Sequence, residues 1–373
     1  MLESSLKIGS VAGIRIGIHY TWLIVFVLIS WTLNTYFAAS HPDWSSTTTL
    51  AASVISALLF FGSIILHELG HSIVAIRRGI SVRSITLFIF GGVAQSERDS
   101  DSALTEFLVA IAGPVVSLLL AGFFDVMRIV LSPISDVAME ACRWLSIINF
   151  AVALFNMVPG FPLDGGRVFR SLVWGATGNA VKGMNWAVTA GKIVAYGLMG
   201  LGIYASLSIG SIFAGVWYFA IGWFLLVSAQ ASGRAFVVDR VTHGLTVRDL
   251  MVREVPTVTA VTSIADWINE DVLTEGTRAD IVLDNGRAVG LVSVTDSKKV
   301  PRERWATTPV RDIMTPMSGL KTLAPDMAAA AALEQMAGLS LNEMPVLEGA
   351  EVVGWVDREH LAKLLRLRME TAD

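Results

Sequence analysis

His67-Glu68-Leu69-Gly70-His71 is the stretch of this chain best equipped for chemistry. On a helix the two histidines stand one turn apart on one face, so both imidazoles can reach a single Zn2+. Glu68, beside the first of them, is placed to take a proton from water activated by that metal. The setting sharpens the signal. No charged residue occurs from Ser45 through Leu66, so two imidazoles and a carboxylate close an uncharged run that reads as a membrane span. Ionisable groups at bilayer depth are costly and mark functional sites by default.

A catalytic zinc takes three protein ligands and keeps one position open. Ser72-Ile73-Val74-Ala75-Ile76-Arg77, which follows the motif, supplies no third histidine. The downstream candidate is Asp164, within Asn156-Met157-Val158-Pro159-Gly160-Phe161-Pro162-Leu163-Asp164-Gly165-Gly166-Arg167. There an apolar run meets two prolines, which break a helix. Asp164 is expected on an irregular turn carried back toward the membrane, with Gly165 and Gly166 permitting close backbone approach. Read alone, an Asp before two glycines is equally an ordinary turn former.

The elements that must position these groups follow from composition. The 373 residues are 53% hydrophobic and only 16% charged, against roughly 25% charged in an ordinary soluble domain. The apolar runs lie in the first 230 or so residues, and the remainder has soluble composition. Two domains are expected, 1–236 in the membrane and 237–373 in water. A net charge of −4 without a basic stripe argues against a nucleic-acid partner, and the single Cys142 excludes an internal disulfide or a cysteine-rich zinc site.

Six spans are expected: Tyr20–Phe37, Leu50–Ile76, Glu106–Val130, Leu145–Met157 with a start a few residues earlier, and two sharing Ile193–Gly233 with a turn at Ser206–Ser211. Lys7, Arg15, Arg77, Arg78, Arg83, Arg98, Arg167, Arg170, Lys182, Arg234 and Arg240 fall in segments on one side, whereas the opposite loops around Ser40–Ser46, Ser132–Asp136 and Ser206–Ser211 carry no Lys or Arg; Arg128 and Arg143 lean the other way but sit near span ends, where they can snorkel. Both termini, and the histidine motif, are therefore expected on the cytoplasmic side of the cell membrane. Between the second and third spans, Ser84–Val93 is apolar and β-prone but too short to cross. It reads either as a re-entrant edge strand able to pair with an extended peptide, with Gly91 and Gly92 as substrate-side candidates, or as a packing loop.

The soluble region repeats itself. Val247-Arg248-Asp249-Leu250-Met251 and Gly290-Leu291-Val292-Ser293-Val294-Thr295-Asp296 find counterparts in Val310-Arg311-Asp312-Ile313-Met314 and Gly354-Trp355-Val356. The copies span about 244–300 and 307–368.

The histidine motif together with Asn156–Gly166 resembles the site-2 protease family of intramembrane zinc metalloproteases, over most of residues 10–230. The resemblance implies His67, His71 and Asp164 as zinc ligands, Glu68 as general base, and Asn156 as a group that polarises the scissile carbonyl or holds substrate. The repeat resembles a tandem CBS pair. It implies an adenine nucleotide of the ATP or AMP type held by Ser293 at phosphate and Asp296 at ribose, and a homodimer formed through the pair. The second copy departs from that pattern: Asp357 and His360 stand where a hydroxyl residue and an Asp belong, and an anionic side chain repels phosphate.

The expected architecture is a polytopic α-helical membrane protein with a short re-entrant β segment, plus a soluble α/β tandem CBS domain. The expected activity is zinc-dependent hydrolysis of a peptide bond in or near a transmembrane helix of a single-span client, for example an anti-sigma-type regulator, in the lipid bilayer. The alternative is a CBS-gated transporter or channel with a zinc site. Glu68 discriminates, because a closed structural zinc site has no use for it.

Overall fold

The computed structural model describes residues 5–11, 13–88, 91–96, 100–208, 210–339, 341–349, 351–358, 361 and 363. Ile89, Phe90, Arg98 and His360, all weighed above, lie outside the described residues. The chain divides into two compact units, Met1–Arg234 and Ala235–Asp373.

Among the described residues, six helices are long and apolar enough to cross a membrane. They are α1 (Trp22–Ser40), α2 (Ser46–Arg77), α3 (Ala103–Leu131), α4 (Asp136–Asn156), α6 (Ala180–Ser208) and α7 (Ile212–Thr242); a shorter helix, α5 (Asp164–Thr177), lies between the fourth and fifth of them. The protein is thus a multi-pass membrane protein. Ser45, Ser102 and Ser135 cap α2, α3 and α4 by accepting from backbone N–H groups in the first turn.

Three spans run well past their expected bounds. The fourth begins at Asp136, the fifth begins at Ala180 and the sixth ends at Thr242, because all three helices extend past charged residues that a hydropathy window rejects. Within α4, Arg143 pairs with the buried Glu140 at 3.5 Å, which also accepts from the Tyr36 hydroxyl at 3.3 Å. Near the end of α3, Arg128 pairs with Asp125 at 2.9 Å.

The apolar segment after the second span belongs to a larger sheet than expected. Strands β1 (Ser5–Val11), β2 (Ile14–His19), β3 (Val82–Phe88) and β4 (Gly91–Ser96) form one sheet in the order β1-β2-β3-β4. The β1–β2 and β3–β4 pairs are antiparallel hairpins, joined by parallel pairing of β2 with β3. β4 therefore stands at an edge, and Ile14 and Ile85 are buried against Leu69 of α2.

The second unit contains a four-stranded sheet, β5 (Thr257–Thr259), β6 (Ala279–Asp284), β7 (Arg287–Ser293) and β8 (Thr315–Pro316), and a hairpin of β9 (Glu343–Glu348) and β10 (Glu351–Asp357). The repeats exchange their opening motifs. Val247 and Leu250 are buried in the core of the second copy with Leu323, Met344 and Val356, while Val310 and Ile313 complete the core of the first copy around Trp267 and Val292. The two copies are thus mutually dependent for burial, as repeats with small individual cores must be.

Candidate metal centre and its neighbours

Residues 97 positions apart in sequence converge on one point in the membrane unit. His67 Nε2 and Asp164 Oδ2 are 3.1 Å apart, His71 Nε2 and Asp164 Oδ2 3.3 Å, and the two imidazole Nε2 atoms 3.2 Å. Both histidines are buried, and the Asp164 side chain is 15% exposed. The helix makes this possible: a four-residue spacing puts both rings on the face of α2 that meets α3.

Each imidazole is held from behind. His71 Nδ1 bonds the carbonyl oxygen of Val109 at 2.7 Å, and His67 Nδ1 bonds Ser117 Oγ at 2.8 Å. A carbonyl oxygen only accepts, so His71 Nδ1 carries the hydrogen and a neutral His71 turns a lone pair on Nε2 toward Asp164. Lone pairs facing each other at such distances repel. A proton bridges one edge of the triangle, whereas a cation satisfies all three. Ligands about 2.0–2.1 Å from zinc at tetrahedral angles stand about 3.3 Å from one another. The donor set, its spacing and its rear hydrogen bonds all fit a zinc ion, and three protein ligands leave the fourth position for chemistry.

Glycines make the approach possible. A Cβ on Gly113 of α3 would collide with the Nε2 atoms of both His67 and His71, so the helix backbone itself forms the wall behind the donors. Gly70 lets α2 close on α3, since a Cβ there would meet Val116 Cγ2 at 2.8 Å. Gly165 and Gly166 abut the backbone of Met157–Phe161, where a side chain would clash with main-chain atoms. Their role in close approach agrees with the sequence reading, but the turn does not: Asp164 opens α5, with Leu163 as its N-cap. α4 ends at Asn156, the irregular turn with both prolines occupies 157–163, and Asp164 is the first residue of the next helix rather than part of that turn.

Glu68 lies beside the triad and against the sheet. A Cβ on Gly92 of β4 would approach Glu68 Cγ to 2.5 Å and Oε1 to 3.1 Å. Gly91, next to it, has φ +128°, a conformation reserved for glycine. Asn156 is the last residue of α4, half-buried, eight residues before Asp164. Asn149 is buried and donates to Leu145 O at 2.8 Å and Ser63 Oγ at 3.4 Å, which is a packing role. His19, at the end of β2, bonds Thr21 Oγ1 at 2.8 Å.

Sequence reading missed Val109, Gly113 and Ser117. All three lie on α3, where apolar composition all round conceals which face meets a partner.

In the second unit, Ser293 and Asp296 serve their own helix. Asp296 Oδ2 accepts from the Ser293 amide at 2.9 Å and from its hydroxyl at 2.7 Å, and Lys299 Nζ lies 2.6 Å from Oδ1. Burial raises the Asp296 pKa, but the hydrogen bonds from Lys299 and Ser293 outweigh it and leave the carboxyl below its ordinary value. A cleft of about 540 Å³ opens elsewhere in this unit, lined by Pro256, Thr277, Arg278, Glu343, Trp355 and Asp357 among others, with neither Ser293 nor Asp296 in its wall. Burial, then the charge of Asp357 directly across the β9–β10 pair, pushes Glu343 up to about 6.

Comparison with known proteins shows the family. The family model for peptidase family M50 matches residues 55–139 and 126–198, and the CBS domain model matches 247–296 and 310–367. Two relatives carry the name "putative zinc metalloprotease". Rip3 of Mycobacterium tuberculosis is 32% identical over 98% of this chain and 93% of its own, and sll0528 of Synechocystis is 34% identical over 98% and 96%. Among solved structures, the site-2 protease from Methanocaldococcus jannaschii aligns with 61% of this chain and 95% of its own, at 24% identity and a TM-score of 0.42. With six apolar helices, a buried two-histidine, one-aspartate cluster and relatives of near-equal length, the chain belongs to peptidase family M50, the site-2 protease type of intramembrane zinc metalloprotease, and carries a C-terminal pair of CBS domains.

Proposed function

We propose that the protein cuts a single-span membrane client, of which an anti-sigma-type regulator is one example, in or near its transmembrane helix, with His67, His71 and Asp164 holding the zinc. The observation that carries this reading is the meeting of the three donors from α2 and α5 with Glu68 wedged against an edge strand. Zinc, when bound, supplies Lewis acidity toward the scissile carbonyl and toward water. Glu68 takes the proton from the attacking water and returns it to the leaving amine. Asn156 donates to the carbonyl oxygen or to neighbouring substrate.

A helix hides its peptide bonds in its own hydrogen bonds, so the client must first become extended. The edge of β4 offers backbone groups for a strand laid along it, and Gly92 brings that strand past Glu68. Client segments containing Gly or Pro unwind most readily. The Lys and Arg distribution supports cytoplasmic termini and cleavage near the cytoplasmic end of the client helix in the cell membrane.

The test is co-expression with candidate single-span proteins, comparing the parent with Glu68→Gln. Zinc should be retained and the cleavage product lost; the same product from Glu68→Gln overturns the mechanism.

The CBS pair is read as a sensor for an adenine nucleotide that biases access to the site, and as the surface of a homodimer. The match of residues 247–296 and 310–367 to the CBS domain model supports a binding role. Titration calorimetry of AMP and ATP into the purified chain tests it. Saturable binding that Asp296→Ala removes is expected, and absence of binding refutes the sensing role.

A further inference from the structure

Glu106, Val109, Gly113 and Ser117 of α3 fall at i, i+3, i+7 and i+11, and all four are buried. Three of them meet the histidines: Val109 O holds His71, Ser117 Oγ holds His67, and Gly113 makes room for both. The fourth reaches the helix that carries the aspartate. The Glu106 carboxylate is 0% exposed and takes a forked bond from Arg167, Nε to Oε1 at 3.0 Å and a terminal nitrogen to Oε2 at 3.4 Å. A nitrogen of the buried Arg170 lies 3.9 Å from the same Oε1. Arg167 and Arg170 stand three and six residues beyond Asp164 on α5.

The start of α5 is locally weak. Leu163 gives it no side-chain cap, and two glycines occupy its first turn. Its register must be set by contacts further along, and a forked carboxylate–guanidinium bond is directional in a way that apolar packing is not. We infer that Glu106 is a positioning residue: by clamping Arg167 and Arg170 it presents Asp164 to the histidines, so one face of α3 sets all three ligands. This deepens the zinc reading and rests on it.

The experiment measures zinc affinity rather than proteolysis. The full chain is purified in detergent, stripped, and titrated with zinc against a chromophoric chelator, as parent, Glu106→Gln, Asp164→Asn and the double variant. Outer partners of metal ligands are worth about 10- to 100-fold in affinity, and Glu106→Gln should weaken binding by that much. In the Asp164→Asn background the same change should move the dissociation constant less than about two-fold, because the ligand it acts through is gone. Arg167→Lys keeps the charge but loses the fork. It should weaken zinc and show the same silence behind Asp164→Asn, which keeps the idea testable if Glu106→Gln does not fold. Equal losses in both backgrounds, or an affinity unmoved by Glu106→Gln in a parent that binds zinc, overturn the clamp alone. A parent that takes up no zinc overturns the metal site and the clamp together.

Discussion

Replacing Gly113 with alanine should destroy the metal site while leaving the helix that carries it intact. The added methyl would stand 2.6 Å from His67 Nε2 and closer still to His71 Nε2. Ordinary contact at carbon requires about 3.4 Å or more, so α3 must retreat, or the rings turn, by at least about 0.8 Å. Zinc sites tolerate ligand displacements of about 0.2 Å, and the disturbance is several times that. Loss of affinity should exceed the roughly 100-fold ceiling seen when only an outer partner is removed. Folding should suffer less: the overpacking costs about 1–3 kcal/mol, and exchanging a mid-helix glycine for alanine returns about 1 kcal/mol. Gly122, nine residues along the same helix, has nothing within 4 Å of its would-be Cβ and provides the control. Zinc content by plasma mass spectrometry and thermal melts of both variants decide the matter. Gly113→Ala that binds zinc like Gly122→Ala would refute the placement of α3 against the donors.

Gly92→Ala should retain zinc and lose most hydrolysis, because the new methyl displaces Glu68 rather than the ligands; loss of metal and turnover in parallel would contradict that division. Glu343→Gln should stabilise the second unit at neutral pH. The folded pKa of Glu343 is raised to about 6 from its ordinary value of 4.5, so its protonated form favours folding below about pH 4.5 and that contribution is lost as pH rises through 6. Since the side chain is only half-buried, solvent screening reduces the effect to about 1 kcal/mol. Hydrogen exchange in β9 and β10 of the full chain should show the variant better protected at pH 7 and equal to the parent at pH 4.5; equal protection at both would remove the Glu343–Asp357 repulsion from the account.

The metal cluster was legible because its chemistry demands unusual residues in an apolar setting. His67, Glu68 and His71 cannot be lipid-facing filler, and their i, i+4 spacing already implies a shared face. The second strand of the N-terminal hairpin is also legible: Ile14, Ile16 and Ile18 alternate with Arg15 and Gly17, a period of two that marks a strand. The bounds of α4 and α6 were hidden for a different reason, since hydropathy stops at the first charge whereas a helix continues until its backbone is capped or broken.

The face of α3 was the hardest feature to read, and the reason is physical. In a soluble helix the buried stripe stands out against polar neighbours. In a span, lipid-facing and protein-facing positions are both apolar, so rotation about the axis leaves no trace in hydropathy. What remains is residue size and rare polarity: Glu106, Gly113 and Ser117 are among the α3 positions that carry no bulky hydrophobe, and these three fall on one buried stripe. Such a stripe says that something must approach closely, but not what. Here the approach belongs to two imidazoles and, through Arg167, to the helix that brings Asp164. An intramembrane metal site assembled from distant segments thus needs a third element as a template, and that element is recognised by the side chains it lacks.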